Sequence, residues 1–141
     1  MKANRFASVC SGITPEELTN LFNLSELTLP FSGYRKAMPM HKIVRLEGEG
    51  NYTLFHFSDG TRLMVSLTLK KMAERLSPAV FARPHKKNIV NLLYLEEKHP
   101  NHHQLTVQLT NGDRIDVSRR KASLFFQQLE GFQQKVQALA N

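Results

Sequence analysis

The chain has 141 residues, 41% of them hydrophobic, which is enough for one domain with its own core and too little for two ordinary ones. Nineteen Lys and Arg against twelve Asp and Glu give a net charge of +7 and an isoelectric point near 9.8, a balance that favours nucleic acid or an anionic surface as partner. A single cysteine, Cys10, excludes an intrachain disulfide scaffold. The opening "MKANRFASVCSG" has no apolar stretch of signal-peptide type, and no run of about eighteen apolar residues follows it, so the chain reads as a cytoplasmic protein without a membrane segment.

In chain order, "TPEELTNLFNL" comes first. Thr14 can cap, Pro15 fits the first helical position and Glu17 completes a capping box, so residues 14–23 are expected to form a short amphipathic helix with Leu18, Leu21 and Phe22 on one face. Seven apolar or period-2 runs then follow: "ELTLP", "HKIVRLEG", "YTLFHFS", "TRLMVS", "NIVNLLYLEE", "QLTVQLT" and "DRIDVS". The intervening "SDGT" and "TNGD" are strong hairpin signals, so the middle of the chain reads as antiparallel sheet. Within it, Ser66 is the candidate cap of a helix over "LTLKKMAERL", where Leu69, Met72, Ala73 and Leu76 make a stripe and Pro78 ends the segment. A last helix is expected from Ser118 to about Ala140, with Gly131 as its candidate break. Phe125, Leu129, Phe132, Val136 and Leu139 would form the packing face.

Catalysis finds no constellation. There is no phosphate-binding glycine loop, dinucleotide fingerprint, nucleophile elbow or HExxH pattern. His99, His102 and His103 in "KHPNHH" sit beside Pro100 and Asn101, which reads as a solvated hairpin loop rather than a zinc site. Glu96 and Glu97 are adjacent and would point to opposite faces of a strand, and Glu47 and Glu49 lie in "LEGEG" without an acid–base partner. No cofactor or metal is implied.

The basic residues are more informative. "RPHKKNIVN" gathers Arg83, His85, Lys86 and Lys87 before an apolar strand, and "SRRK" puts Arg119, Arg120 and Lys121 in the first turn of a helix, where the backbone dipole disfavours positive charge. An internal carboxylate, a small anion or an external polyanion could supply the missing negative charge. The structural alternative is an internal pair of Arg119 with Asp113, Asp116 or Glu97, and each cluster taken singly is equally well a solvated charged face.

Four stretches in order, "IVRLEGEGNYTLFHFSDG", "VSLTLKKMAERL", "FARPHKKNIVNLLYLEE" and "LTVQLTNGDRIDVSRRKASLF", resemble the LytTR DNA-binding domain of bacterial transcriptional regulators over about Glu26 to Glu130. The resemblance implies a mainly β, elongated antiparallel fold with N- and C-terminal helices. It divides the chain into an N-terminal extension (1–25), the DNA-binding domain (26–130) and a C-terminal helical extension (131–141). It also implies sequence-specific binding of double-stranded DNA, with loops in successive major grooves and no catalytic activity. Position by position, it carries DNA contact to Asn51 and Tyr52, to Lys86 and Lys87, and to Arg119, with Arg120 and Lys121 on phosphate. His85, Val90 and Asn91 match the pattern as structural residues, His85 half-buried and hydrogen-bonded and Asn91 tying down a strand. Lys87 stands where relatives often have a small hydroxyl residue, which alters the expected base preference. Only about 25 residues precede the match, too few for a receiver domain, so a free-standing, response regulator-like protein is expected, controlled by a separate sensor or regulator protein, by its level or by assembly. Relatives occupy direct repeats as two protomers, which makes a homodimer on DNA the expected state, with the two terminal helices as contacts between neighbours. The competing reading is a protein-interaction module that docks through those apolar helices and carries its basic face incidentally.

Overall fold

The computed structural model describes residues 5–31, 34–100 and 105–140. The first helix begins where its cap says it should. In α1 (Pro15–Phe22) the Thr14 hydroxyl accepts from Glu17 N and the Glu17 carboxylate accepts from Thr14 N, both at 3.1 Å, and Asn23 closes the helix in the left-handed conformation.

Among the described residues ten strands follow, in three antiparallel sheets. The strands β1 (Glu26–Phe31) and β2 (Tyr34–Pro39) make a hairpin. A five-stranded sheet takes β3 (Ile43–Glu49), β4 (Tyr52–Phe57), β5 (Arg62–Val65), β6 (Phe81–His85) and β7 (Asn88–Asn91) in the order β5-β4-β3-β7-β6. A third sheet orders β10 (Arg114–Val117), β9 (Leu105–Leu109) and β8 (Leu95–Pro100). The mainly β antiparallel fold with helices near its ends is therefore as expected. Three details differ. Residues 34–39 and 81–85 are strands that the sequence reading left out; Pro84 lies in the edge strand β6, where a residue without an N–H does least harm to the ladder. The run "NIVNLLYLEE" is not one strand: β7 ends at Asn91, a 3-10 turn spans Leu92–Tyr94, and β8 starts a different sheet.

Asn91 causes that break. It is fully buried, its Nδ2 donates to Ile43 O at 2.8 Å and its Oδ1 accepts from Leu93 N at 2.9 Å, which caps the turn and ties it to the start of β3. Such a role requires a contact 48 residues away, which no local pattern displays.

The helix α2 is shorter than expected, Leu69–Ala73, and its cap is Thr68, whose hydroxyl accepts from Lys71 N at 3.2 Å, rather than Ser66. The last helix, α3, runs unbroken from Arg119 to Ala140. Gly131 does not interrupt it, and a Cβ there would meet nothing within 4 Å. Phe125, Leu129, Phe132 and Val136 are buried as the periodicity requires, while Leu139 is exposed. Phe132 stacks on Phe22 of α1 at 5.2 Å, so the two terminal helices close on each other. The N-terminal segment is fastened too: Ala7 N donates to Leu93 O at 2.6 Å, Ser8 donates to the Glu96 carboxylate, and Phe6 packs on the Tyr94 ring at 5.1 Å. These contacts give residues before β1 a packing role. Among the described residues, no helix is long and apolar enough to cross a membrane.

Candidate nucleic-acid interface

Two tight turns and one helix start carry the expected contact residues, and of these the β6–β7 turn and the start of α3 are basic. The β3–β4 turn consists of Gly50 and Asn51 between the paired residues Glu49 and Tyr52, and Gly50 takes φ +61°, a conformation that side-chain-bearing residues rarely adopt. Asn51 and Tyr52 both project into solvent, the tyrosine 49% exposed. Thr53, the next residue, is buried and donates to Leu67 O at 2.7 Å, which anchors the base of the turn to the segment leading into α2.

The β6–β7 turn is Lys86 and Lys87, between the paired residues His85 and Asn88. Its backbone is held from three sides. Arg83 Nη2 donates to Lys86 O at 2.6 Å, Gly48 N donates to Lys87 O at 2.8 Å, and Lys87 N donates to His85 Nδ1 at 3.2 Å. Both lysine side chains remain exposed, so the peptide is fixed and the charges are left to solvent. His85 is half-buried and hydrogen-bonded, as expected of it.

At the third place, Ser118 caps α3: its hydroxyl accepts from Lys121 N at 3.3 Å, and its own N–H donates to Pro84 O at 2.8 Å. The second bond ties the helix start to the strand that leads into the lysine turn. Arg119 and Arg120 are exposed, Lys121 is half-buried, and the first turn holds no acidic residue. Among the described residues no ion pair involves Arg119. Asp113, one of the carboxylates that could have claimed it, is held instead by Arg45 Nε at 2.8 Å; the Glu97 side chain lies outside the described residues. Gly48–Lys87 and Ser118–Pro84 thus link all three regions through backbone bonds.

Arg45 is the residue that sequence reasoning missed. Besides Asp113, its Nη1 donates to Asn88 Oδ1 at 3.0 Å and lies 3.5 Å from Glu47, whose carboxylate also meets His56 Nε2 at 3.1 Å. The guanidinium joins β3, β7 and the β9–β10 turn, and an arginine within an apolar-looking strand is the only sequence signal of it. Burial and the nearby Arg45 charge hold the His56 imidazole below its ordinary pKa, against the opposing pull of Glu47. Among the described residues no group of three His, Cys, Asp or Glu is placed to hold a metal. His102 and His103 lie outside those residues, as does the side chain of His99.

The described residues thus form an antiparallel three-sheet scaffold that presents one basic turn, one polar turn and a basic helix start. Residues 35–130 match the family described as LytTr DNA-binding domain, and the chain belongs to that family. Its fold is similar to that of a solved LytTr DNA-binding domain from Bacillus cereus, at 25% identity and a TM-score of 0.64, over 74% of this chain and 96% of that one. No curated protein matches the chain significantly.

Proposed function

We propose that the protein is a sequence-specific regulator of transcription that reads double-stranded DNA with the β3–β4 turn, the β6–β7 turn and the start of α3. The observation that carries this reading is the treatment of the lysine turn: three hydrogen bonds immobilise its backbone while Lys86 and Lys87 stay solvent-exposed. A surface that only needs charge for solubility has no use for such rigidity, whereas placing donors on a duplex requires it. Arg119 suits a guanine edge, whose two acceptors match its fork, with Arg120 and Lys121 on phosphate and Asn51 and Tyr52 on the neighbouring groove. The duplex then supplies the negative charge that the first turn of α3 lacks. Two protomers on a direct repeat remain the proposed assembly.

The interaction-module alternative has less to stand on, because Phe125, Leu129, Phe132 and Val136 of α3 and Leu18 and Phe22 of α1 are buried within the chain, which leaves Leu124 and Leu139 as the exposed large apolar residues of α3. The test is selection from a random duplex pool followed by sequencing. Recovery of a defined motif, in two copies at fixed spacing for the dimer, is the expected result. Retention that vanishes with salt and enriches nothing would reduce the basic surface to a general electrostatic patch.

A further inference from the structure

Between the β3–β4 turn, the entry to α2 and the β6–β7 turn lies a cleft of about 370 Å³, lined by Gly48, Gly50, Thr68, Lys70, Arg83 and the two lysines of the turn, with Leu69 at its floor. None of its lining residues is acidic, and among the described residues none of its four cations is in an ion pair. Glu49, between the two glycines, is not among its lining residues. Arg83 adds charge with one donor engaged: its Nη2 donates to Lys86 O, and its Nε is buried without an acceptor. Lys70 is different. It is exposed, it comes from a third segment of the chain, and among the described residues it makes no ion pair. Thr68 Oγ1 accepts the capping bond from Lys71 N and keeps its hydrogen to donate. The cleft offers point charges and a hydroxyl but no flat amide or aromatic face with which to read a base.

We propose that this cleft seats one backbone phosphate of the duplex, with Lys70 as its principal contact and Thr68 and Lys87 completing the cradle; the proposal rests on the DNA-binding reading above. The phosphate would lie between the two turns and fix the spacing at which they enter the grooves. Lys70 thereby sets affinity and register without choosing sequence.

The test compares duplex binding of wild type, Lys70→Gln, Lys70→Arg and Lys135→Gln over a salt series. Lys135→Gln removes the same charge from α3 about 24 Å along the helix from Arg119 and is the control for net charge; since its Nζ lies 6.0 Å from the Phe22 ring centroid, its folding is checked by urea unfolding. Lys70→Gln is expected to weaken binding roughly three- to tenfold at about 0.1 M salt, to lower the salt slope by about one, and to leave the selected motif unchanged. Lys70→Arg should restore the slope. An unchanged slope for Lys70→Gln relative to Lys135→Gln, with wild type binding normally, overturns the phosphate seat alone. Failure of wild type itself to bind any duplex removes the DNA reading and the seat together. Inorganic phosphate should displace duplex no better than chloride at equal ionic strength, and preferential displacement by phosphate would make this a free-anion site and overturn the proposal.

Discussion

The β3–β4 and β9–β10 turns are both closed by a glycine in a left-handed conformation, Gly50 at φ +61° and Gly112 at φ +93°, yet the fold uses them in opposite ways. At the β9–β10 turn every polar side chain is engaged: Asn111 donates to Asp113 at 3.0 Å, Asp113 N donates back to Asn111 Oδ1 at 2.9 Å, and Arg45 takes the same carboxylate from another sheet. At the β3–β4 turn the anchor is one residue away, at Thr53, and Asn51 and Tyr52 are left to solvent. Glycine-closed hairpins are indistinguishable by turn chemistry alone. What separates a fastening turn from a presenting one is where the neighbouring polar groups find their partners, and that is a property of tertiary structure.

If the fastenings are what hold the three sheets in register, removing them should act on stability far more than on sequence preference. Asn91→Ala leaves Ile43 O and Leu93 N without their buried partner and is expected to cost about 3 kcal/mol, measured by urea unfolding. Arg45→Met strands Asp113 and Asn88 and should cost about 2 kcal/mol; a cycle with Asp113→Asn should recover a coupling near 1 kcal/mol, and full additivity would show that the turn is not fastened by this pair.

The presenting residues should behave in reverse. Arg119→Ala is expected to weaken specific duplex binding by about 1–2 kcal/mol and relax selection at one base position, with unfolding free energy within about 0.5 kcal/mol of wild type. A large loss of stability instead would place Arg119 among the fastenings. Tyr52→Ala should lower affinity by about 1 kcal/mol and leave thermal stability alone.

The smallest effect is on pH. Because the folded state holds the His56 imidazole below its ordinary value of 6.5, the unfolded chain takes up that proton first. The contribution is fully present above pH 6.5 and is lost as pH falls through the depressed folded value. Urea midpoints measured from pH 7.5 to 5 should therefore decline, and His56→Gln should flatten part of that decline.

Local chemistry in the chain announced several of these features and was silent on others. The capping box at Thr14, the Asp-Gly and Asn-Gly turns and the apolar steps of α3 as far as Val136 depend on near neighbours, and each is where the pattern put it; Leu139, past the last packing neighbour, is exposed. The β6 strand was hidden by Pro84, which a local reading takes for a loop residue; only its edge position makes it tolerable. The two-sheet fate of "NIVNLLYLEE" was hidden because the Asn91 amide reaches Met40 and Ile43 across the fold. At the candidate interface, Lys86, Lys87 and Arg119 stood out by charge and resemblance, whereas Lys70 looked like any solvated helix lysine until the fold set it beside two turns from distant segments.

The contrast between presenting and fastening turns is tested most directly by following the backbone amides of isotope-labelled protein while a selected duplex is added. The account predicts the largest shifts at Asn51–Tyr52, Lys86–Lys87 and Arg119–Lys121, with the Asn111–Asp113 turn nearly still. Shifts concentrated at Asn111–Asp113, or along α1 and the far half of α3, would contradict it.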